Sequence, residues 1–266
     1  MSRVLITNDD GIAAPGLRWL AEAAVTEGHD VVVAAPLEEA SGASAAMSAY
    51  TSDGRVIIER HTLDGLDVPA YAVAASPSYI VVLAMLETFG ALPELVLSGI
   101  NRGANAGRAV LHSGTVGAAF TAAAHSCPAM AVSLDVLSPM TATSGGNALA
   151  ILDDAADEQR NWPAAAELAR GLLKTLAETT DGTVLNLNVP DLPAEEVRGL
   201  RRAGLARFGQ VQMALAEQGE DFVRTAMEQS REAAEPGTDL AWLNDGYATL
   251  TAIRAVSEAA FAGPED

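Results

Sequence analysis

The sequence has one cysteine, few aromatic residues and far fewer basic than acidic side chains. Cys127 has no second thiol with which to form an intrachain disulfide, which is typical of a protein from a reducing compartment. Lysine and arginine number 16 against 35 aspartates and glutamates, so the formal net charge is -19. Such a field repels phosphate backbones, so we do not expect binding to nucleic-acid polymers as the main role.

A long apolar run is also lacking. The most apolar stretch, residues 80–86, is far shorter than the ~20 residues that span a bilayer. The amino terminus reaches the polar residues 8–10 at once, so the apolar segment of a signal peptide does not fit there. We therefore expect a cytoplasmic protein with no membrane partner.

What the sequence does have is enough apolar residues for a large core. Apolar residues make up 49% of the 266, which indicates one large domain, or one domain with an extension. Strand-like runs alternate with segments of helical apolar spacing, as at residues 4–7, 15–28, 31–35, 95–97, 130–133, 163–178 and 184–189. This alternation predicts an α/β fold with a doubly wound, mostly parallel, Rossmann-like sheet.

The alternation stops after residue 190. Residues 210–236 are polar and acidic, and residues 246–251 offer one further strand-like pattern. We therefore divide the chain into an α/β catalytic core, residues 1–190, and a C-terminal arm, residues 191–266. The arm carries apolar side chains that need a partner surface, which a neighbouring subunit would supply: Leu200, Phe208, Phe222, Trp242 and Tyr247.

Four polar loops rich in small residues each follow a predicted strand or open a helix beside one. They lie at residues 8–11, 36–48, 98–107 and 113–117. Because the carboxyl ends of parallel strands meet at one edge of a sheet, and ligands bind there, we expect the four loops to converge.

Asp9 and Asp10 give the first chemical signal. Two adjacent carboxylates repel each other, and a divalent cation relieves that repulsion. Aspartates at this position can instead cap the helix that follows, so the residues alone leave both interpretations open. Asn101 would add a neutral oxygen ligand suited to a hard cation. Residues 113–117 open a helix, whose free N–H groups suit an anion, although Ser113 could also be an ordinary cap.

Several ordered segments carry a resemblance to a known family. They are residues 6–11, 14–16, 35–36, 41–44, 97–101, 103–105, 113–119, 186–190, 236–239 and 246–247. Together they resemble the SurE (survival protein E) family of metal-dependent 5'/3'-nucleotidases over nearly the whole chain. The resemblance implies a SurE-like α/β fold and a phosphomonoesterase that hydrolyses nucleoside 5'- and 3'-monophosphates to nucleoside and phosphate.

The resemblance also assigns site residues by position. It implies Asp9, Asp10, Ser41 and Asn101 as metal ligands, with catalysis carried by Asp9, Asp10 and Asn101. It places Asn8, Ser113, Gly114 and Thr115 around the substrate phosphate. It implies one divalent ion per subunit, Mg²⁺ or Mn²⁺, and a homodimer or tetramer with exchanged C-terminal arms.

The sequence departs from the family pattern at residues 75–77, His112, Thr121 and residues 251–253, while the implied ligands are intact. Two other functions therefore stay open: a specialised phosphatase for a non-nucleotide biosynthetic phosphate ester, and a non-catalytic nucleotide- or metal-binding module. His112 could be a general acid, a substrate contact or a packing residue, and Asp10 a base or only a ligand. Residues 137–161 predict a surface loop, whose acidic run at 153–158 we interpret as solvated.

Overall fold

A nine-stranded, mostly parallel sheet forms the centre of the protein. A computed structural model describes residues 1–40, 42, 44–136, 154–179, 182–209, 211–219, 221–229 and 234–254. The strands are β1 (Arg3–Thr7), β2 (Asp30–Pro36), β3 (Thr51–Ser52), β4 (Arg55–Val56), β5 (Ile58–Leu63), β6 (Leu66–Val73), β7 (Leu95–Arg102), β8 (Ala129–Asp135), β9 (Thr183–Pro190), β10 (Leu200–Arg202), β11 (Val211–Gln218), β12 (Val223–Gln229) and β13 (Ala248–Arg254). The helices are α1 (Pro15–Thr26), α2 (Pro77–Met85), α3 (Gly114–Ala124), α4 (Trp162–Ala177) and α5 (Asp239–Asn244).

The strand order explains where a site can form. The order is β10-β13-β9-β8-β7-β1-β2-β6-β5, and the six strands from β9 to β6 run parallel. The chain winds outward from β1 through β2 to β6, and then returns to β7 on the other side of β1. This reversal opens a crevice at the carboxyl ends of β1 and β7, where ligands bind in sheets of this kind. The predicted doubly wound α/β fold is confirmed.

Helices cover both faces of the sheet. Helices α1 and α4 pack together on one face, and α2 and α3 pack together on the other. The periodic leucines of α1, Leu17 and Leu20, are fully buried, and burying each contributes about 1.5–3 kcal/mol. Within the described ranges, none of the helices is both long and apolar enough to cross a bilayer.

Strand β7 is longer than its sequence predicts. The apolar run at 95–97 predicts a strand that ends before a polar loop, but β7 continues to Arg102. Its polar end still pairs with β8, with Asn101 opposite Ser133, after an irregularity between Ser98 and Asn101. Ladder hydrogen bonds need only backbone atoms, so this extension carries Asn101 on the sheet rather than on a free loop.

The chain after residue 190 has two different environments. Strand β13 pairs antiparallel with β9, and β10 pairs with β13, so both strands extend the central sheet. The boundary at residue 190 therefore does not coincide with an edge of the sheet. Strands β11 and β12 form a separate antiparallel hairpin, which the sequence analysis did not predict. The exchange of this region between subunits stays a prediction.

Candidate functional site

A cavity of about 400 Å³ lies at the carboxyl ends of β1 and β7, beside the start of α3. It brings together Asp9, Asp10, Asn101 and Ser113, which the sequence placed in three separate loops. Its remaining lining residues are Glu39, Gly42, Arg102, Asn105, Ala109 and His112. Ser41, the fourth ligand that the resemblance implied, lies outside the described residues.

Asp9 packs directly on the start of α3. The Thr115 hydroxyl donates a hydrogen bond to Oδ1 of Asp9, and the backbone N–H groups of Gly114 and Thr115 also donate to this carboxylate. A Cβ atom added at Gly114 would lie 2.7 Å from Oδ2 of Asp9, so a glycine is needed there. Burial raises the pKa of Asp9, and these hydrogen bonds oppose the rise. Gly114 and Thr115 thus hold a carboxylate of the protein itself at the start of this helix.

Asp10 contacts a different element, the carboxyl end of β7. The backbone N–H of Arg102 donates to its Oδ2 over 3.3 Å. Burial, and then the charge of Asp9, raise the pKa of Asp10 to about 7, against the opposing effect of the Arg102 hydrogen bond and charge. Two neighbouring carboxylates that both resist ionisation favour the binding of a cation.

The two aspartates do not cap the first helix. The N-cap residue of α1 is Ala14, whose methyl side chain cannot accept a hydrogen bond. The capping interpretation of Asp9 and Asp10 is therefore wrong for α1. At α3 the cap is Ser113, whose Oγ accepts from the backbone N–H of Val116 over 3.0 Å.

The donor set fits a hard divalent cation. Asn101 is oriented by its Nδ2, which donates to the Gly103 carbonyl over 2.7 Å. Its Oδ1 lies 3.3 Å from the Thr115 hydroxyl that also contacts Asp9. Among the residues that the structure describes, no group of three or more His, Cys, Asp or Glu side chains could hold a metal. The available ligands are thus two carboxylates with neutral oxygens, a set that suits Mg²⁺ or Mn²⁺ better than zinc.

The loop that carries Ser41 is anchored beside the cavity on both sides of that residue. The backbone N–H of Ala40 donates to the Asp9 carbonyl over 2.7 Å, and the Ser44 hydroxyl donates to the Leu111 carbonyl over 2.6 Å. A Cβ atom at Gly117 would overlap the Ser44 carbonyl, so the loop lies close against α3.

The side chain of Asn8 forms hydrogen bonds within its own loop. Its Nδ2 donates to the Gly11 carbonyl over 2.9 Å, and its Oδ1 accepts from the Gly11 N–H over 3.2 Å. These two hydrogen bonds close the turn at residues 8–11, which directs Asp9 and Asp10 toward the crevice. The structure therefore gives Asn8 a supporting contact behind the two carboxylates.

Asn105 also lines the cavity, although the sequence assigned it no role. Its backbone N–H donates to Oδ1 of Asn188 over 2.8 Å, and its Nδ2 donates to the Ser133 hydroxyl over 2.9 Å. Its carbonyl accepts from the side chains of Asn186 and Asn188. Asn186 and Asn188, two residues of β9, thus hold the loop after β7 beside the cavity.

Asp157 is an exception to the prediction that the acidic run at 153–158 is solvated, whereas Glu158 is exposed as predicted. Its side chain is only 14% exposed and accepts from Arg102 over 3.0 Å and from Arg160 over 2.6 Å. Arg160 also contacts Asp191 over 3.3 Å. The spacing of Asp157 and Arg160 could have predicted their pairing, but the partner at Arg102 is distant in sequence. This network holds Arg102, whose backbone N–H contacts Asp10.

Comparison with known proteins assigns the family. Residues 4–214 match the family model described as Survival protein SurE. The chain is 32% identical over 253 residues to the 5'-nucleotidase SurE of Clostridium botulinum (strain Eklund 17B / Type B), covering 94% of this chain and 92% of that protein. It is 33% identical over 259 residues to the 5'/3'-nucleotidase SurE of Photorhabdus laumondii, covering 96% and 90%.

A solved structure shows the same fold. The crystal structure of the SurE protein from Aquifex aeolicus matches with a TM-score of 0.68 and 28% identity, over 95% of this chain and 93% of that one. The resemblance seen in the sequence is thereby confirmed. The chain belongs to the SurE family.

Proposed function

We propose that the protein is a phosphoric monoester hydrolase that cleaves nucleoside 5'- and 3'-monophosphates with a divalent cation. The observation that carries this proposal is the pair formed by the buried Asp9 and the partly exposed Asp10, which lines a cavity beside Asn101 and does not cap α1. The relatives named 5'-nucleotidase and 5'/3'-nucleotidase support the substrate class.

One Mg²⁺ or Mn²⁺ ion per subunit is the cofactor that we propose. Asp9, Asp10, Ser41 and Asn101 would hold it. When bound, such an ion offsets the negative charge of the phosphoryl transition state and acidifies water. In a protein with a formal net charge of -19, this local positive charge would also let an anionic ester approach.

The residues around the ion have distinct tasks in this proposal. Thr115 and Gly114 hold Asp9 from the α3 side, and Asn8 closes the loop behind it. Ser113 lines the cavity, and in this proposal it would lie beside the substrate phosphate. A carboxylate oxygen of Asp10 accepts a hydrogen bond from the attacking water and directs the water toward phosphorus, which fixes the geometry of attack.

We also propose a homodimer or tetramer with the C-terminal hairpin at the subunit contact. Leu215, Phe222 and Val223 of the β11–β12 hairpin are 60%, 54% and 64% exposed. Exposed apolar side chains of this size favour a protein partner, and a second copy of the chain is the one that we propose.

The test is phosphate release from a panel of esters. The panel contains 5'- and 3'-nucleoside monophosphates, para-nitrophenyl phosphate and several sugar phosphates, each with EDTA and after EDTA with added Mg²⁺ or Mn²⁺. We expect release that EDTA abolishes and either ion restores. Full activity in a metal-free preparation would contradict the metal requirement.

Two outcomes would favour the other functions. A non-nucleotide ester preferred by more than ~100-fold in kcat/KM indicates a specialised phosphatase. Tight nucleotide binding with no phosphate release indicates a binding module. Asp30→Asn is the matched control for substitutions at the pair, because Asp30 forms a half-exposed ion pair with Arg3 at the opposite, amino-terminal end of β2.

A further inference from the structure

His112 is a lining residue of the cavity to which the proposed function gives no task. It ends the 3₁₀ helix Gly107–His112 and directly precedes Ser113, the cap of α3. Its side chain is exposed and shares the cavity with Asp9, Asp10 and Asn101. In the described part of the chain, no hydrogen bond or ion pair holds its ring, so the imidazole nitrogens can face a ligand.

The backbone that carries His112 is anchored on both sides. Before it, the backbone N–H of Gly107 donates to Oδ2 of Asp239 over 2.7 Å, and the Leu111 carbonyl accepts from Ser44 over 2.6 Å. After it, the Ser113 carbonyl accepts from the Gly117 N–H over 2.9 Å. A free side chain on a fixed backbone is the arrangement that a proton-transfer group needs.

The other charged groups that line the cavity are less suited to giving up a proton. Asp9 and Asp10 are the proposed cation ligands, and Glu39 is a further carboxyl group. The guanidinium of Arg102 stays charged and binds Asp157. Histidine, by contrast, is the side chain that most often transfers a proton in general acid–base catalysis.

We propose that His112 is the general acid of the hydrolysis, a role that rests on the proposed function. Water attacks phosphorus, and the bond between phosphorus and the leaving oxygen breaks with its electron pair on that oxygen. The leaving oxygen takes the ring proton of the His112 imidazolium and departs as a hydroxyl group. The proton that the attacking water loses passes to solvent, and solvent restores the imidazolium.

The test compares two leaving groups. A ribose alkoxide is a strong base that needs a proton as it leaves, whereas para-nitrophenolate is a stable anion that leaves without one. We therefore expect His112→Gln to lower kcat/KM for a nucleoside 5'-monophosphate by ~10²-fold, and for para-nitrophenyl phosphate by less than ~3-fold. His125→Gln is the control, because His125 is also exposed and its ring hydrogen-bonds the Thr121 carbonyl at the far end of α3.

The possible results separate this proposal from the proposed function. Equal losses on both esters, or no loss on either, would overturn the role of His112 while leaving the nucleotidase function in place. If the unmodified protein releases phosphate from neither ester, the proposed function fails and the general-acid role fails with it. As a second readout, free imidazole should restore nucleotide hydrolysis in His112→Ala, which a merely structural role would not allow.

Discussion

Helices α1 and α3 both begin at the crevice, yet their first turns differ. Helix α1 begins at Pro15 after Ala14, which offers no polar side chain to its free N–H groups. Helix α3 begins at Gly114 after the cap Ser113, and it also receives the carboxylate of Asp9. Asp9 thus lies near α1 in sequence but contacts α3 in space. Proximity in sequence therefore did not predict which helix the Asp9 carboxylate contacts.

The difference has a physical reason. The turn that Asn8 closes with Gly11 directs the side chain of Asp9 away from α1 and across the crevice. Because the first N–H groups of a helix favour a negative charge, the start of α3 stabilises Asp9. Asp10 instead accepts from the backbone N–H of Arg102, at the end of β7 and away from the start of α3. This difference in surroundings leads to the following predictions.

The largest expected effect is on activity. Asp10→Asn keeps the shape of the side chain but removes the charge that would hold the cation, so we expect kcat/KM to fall at least ~10²-fold, or ~2.7 kcal/mol in activation free energy. The melting temperature of the metal-free protein should stay the same or rise, because a repulsive charge is gone. Metal-dependent kinetics and thermal melts check both, with Asp30→Asn as control. Near-normal activity would remove the basis for a metal at this pair.

The pH dependence of folding stability should reflect the raised pKa of Asp10. The pKa of Asp10 is raised from 3.8 to about 7 in the folded protein, so the folded state binds more protons than the unfolded chain in that window. The metal-free protein should therefore lose stability, on the order of 4 kcal/mol, as pH rises from about 4 to about 7. Denaturant unfolding in EDTA at several pH values measures this loss.

Two comparisons make that measurement specific. In Asp10→Asn, the loss of folding stability with rising pH should be smaller. Added Mg²⁺ should reduce the same loss above neutral pH in the unmodified protein, because the cation binds the ionised pair. A stability profile that is the same in Asp10→Asn as in the unmodified protein would assign the pH dependence to other groups.

The close approach of Asp9 to α3 can be broken with one methyl group. Gly114→Ala places a Cβ against the buried Asp9 carboxylate and should destabilise the fold by about 1–2 kcal/mol, with loss of activity. Gly171→Ala is the matched control in α4, where the added Cβ meets open space. That change should stabilise the fold by about 0.5–1 kcal/mol, since alanine is the better helix former. Urea unfolding of both variants gives the comparison, and equal effects would contradict it.

The smallest effect concerns the two caps themselves. Ser113→Ala removes the hydrogen bond to Val116 and should cost about 1 kcal/mol. Ala14→Ser adds a possible cap to α1, where the extended backbone of residue 14 suits one, and should gain about 0.5–1 kcal/mol. Denaturant midpoints of the two variants should therefore move in opposite directions. A stabilising Ser113→Ala would show that this serine is placed for ligand binding at the expense of stability.

Local patterns were informative where the physical cause is local. The apolar spacing of α1 and α4 and the β-branched runs of β1, β2 and β9 predicted those elements and the confirmed α/β fold. The hairpin of β11 and β12 and the edge strand β5 were missed. Both are antiparallel and rich in polar residues, and their pairing depends on a partner strand rather than on their own composition.

The sequence by itself determined the alternation of strands and helices, the family, and the residue types available for a cation and a phosphate. It did so because hydrophobic periodicity and chemical type are properties of neighbouring residues. Only the tertiary structure decided that Asp9 contacts Gly114 and Thr115, that Arg102 binds Asp157, and that His112 faces the same cavity as Asp10. Those contacts join segments some 50 to 100 residues apart, and they form only when the reversal of strand order brings β1 and β7 together.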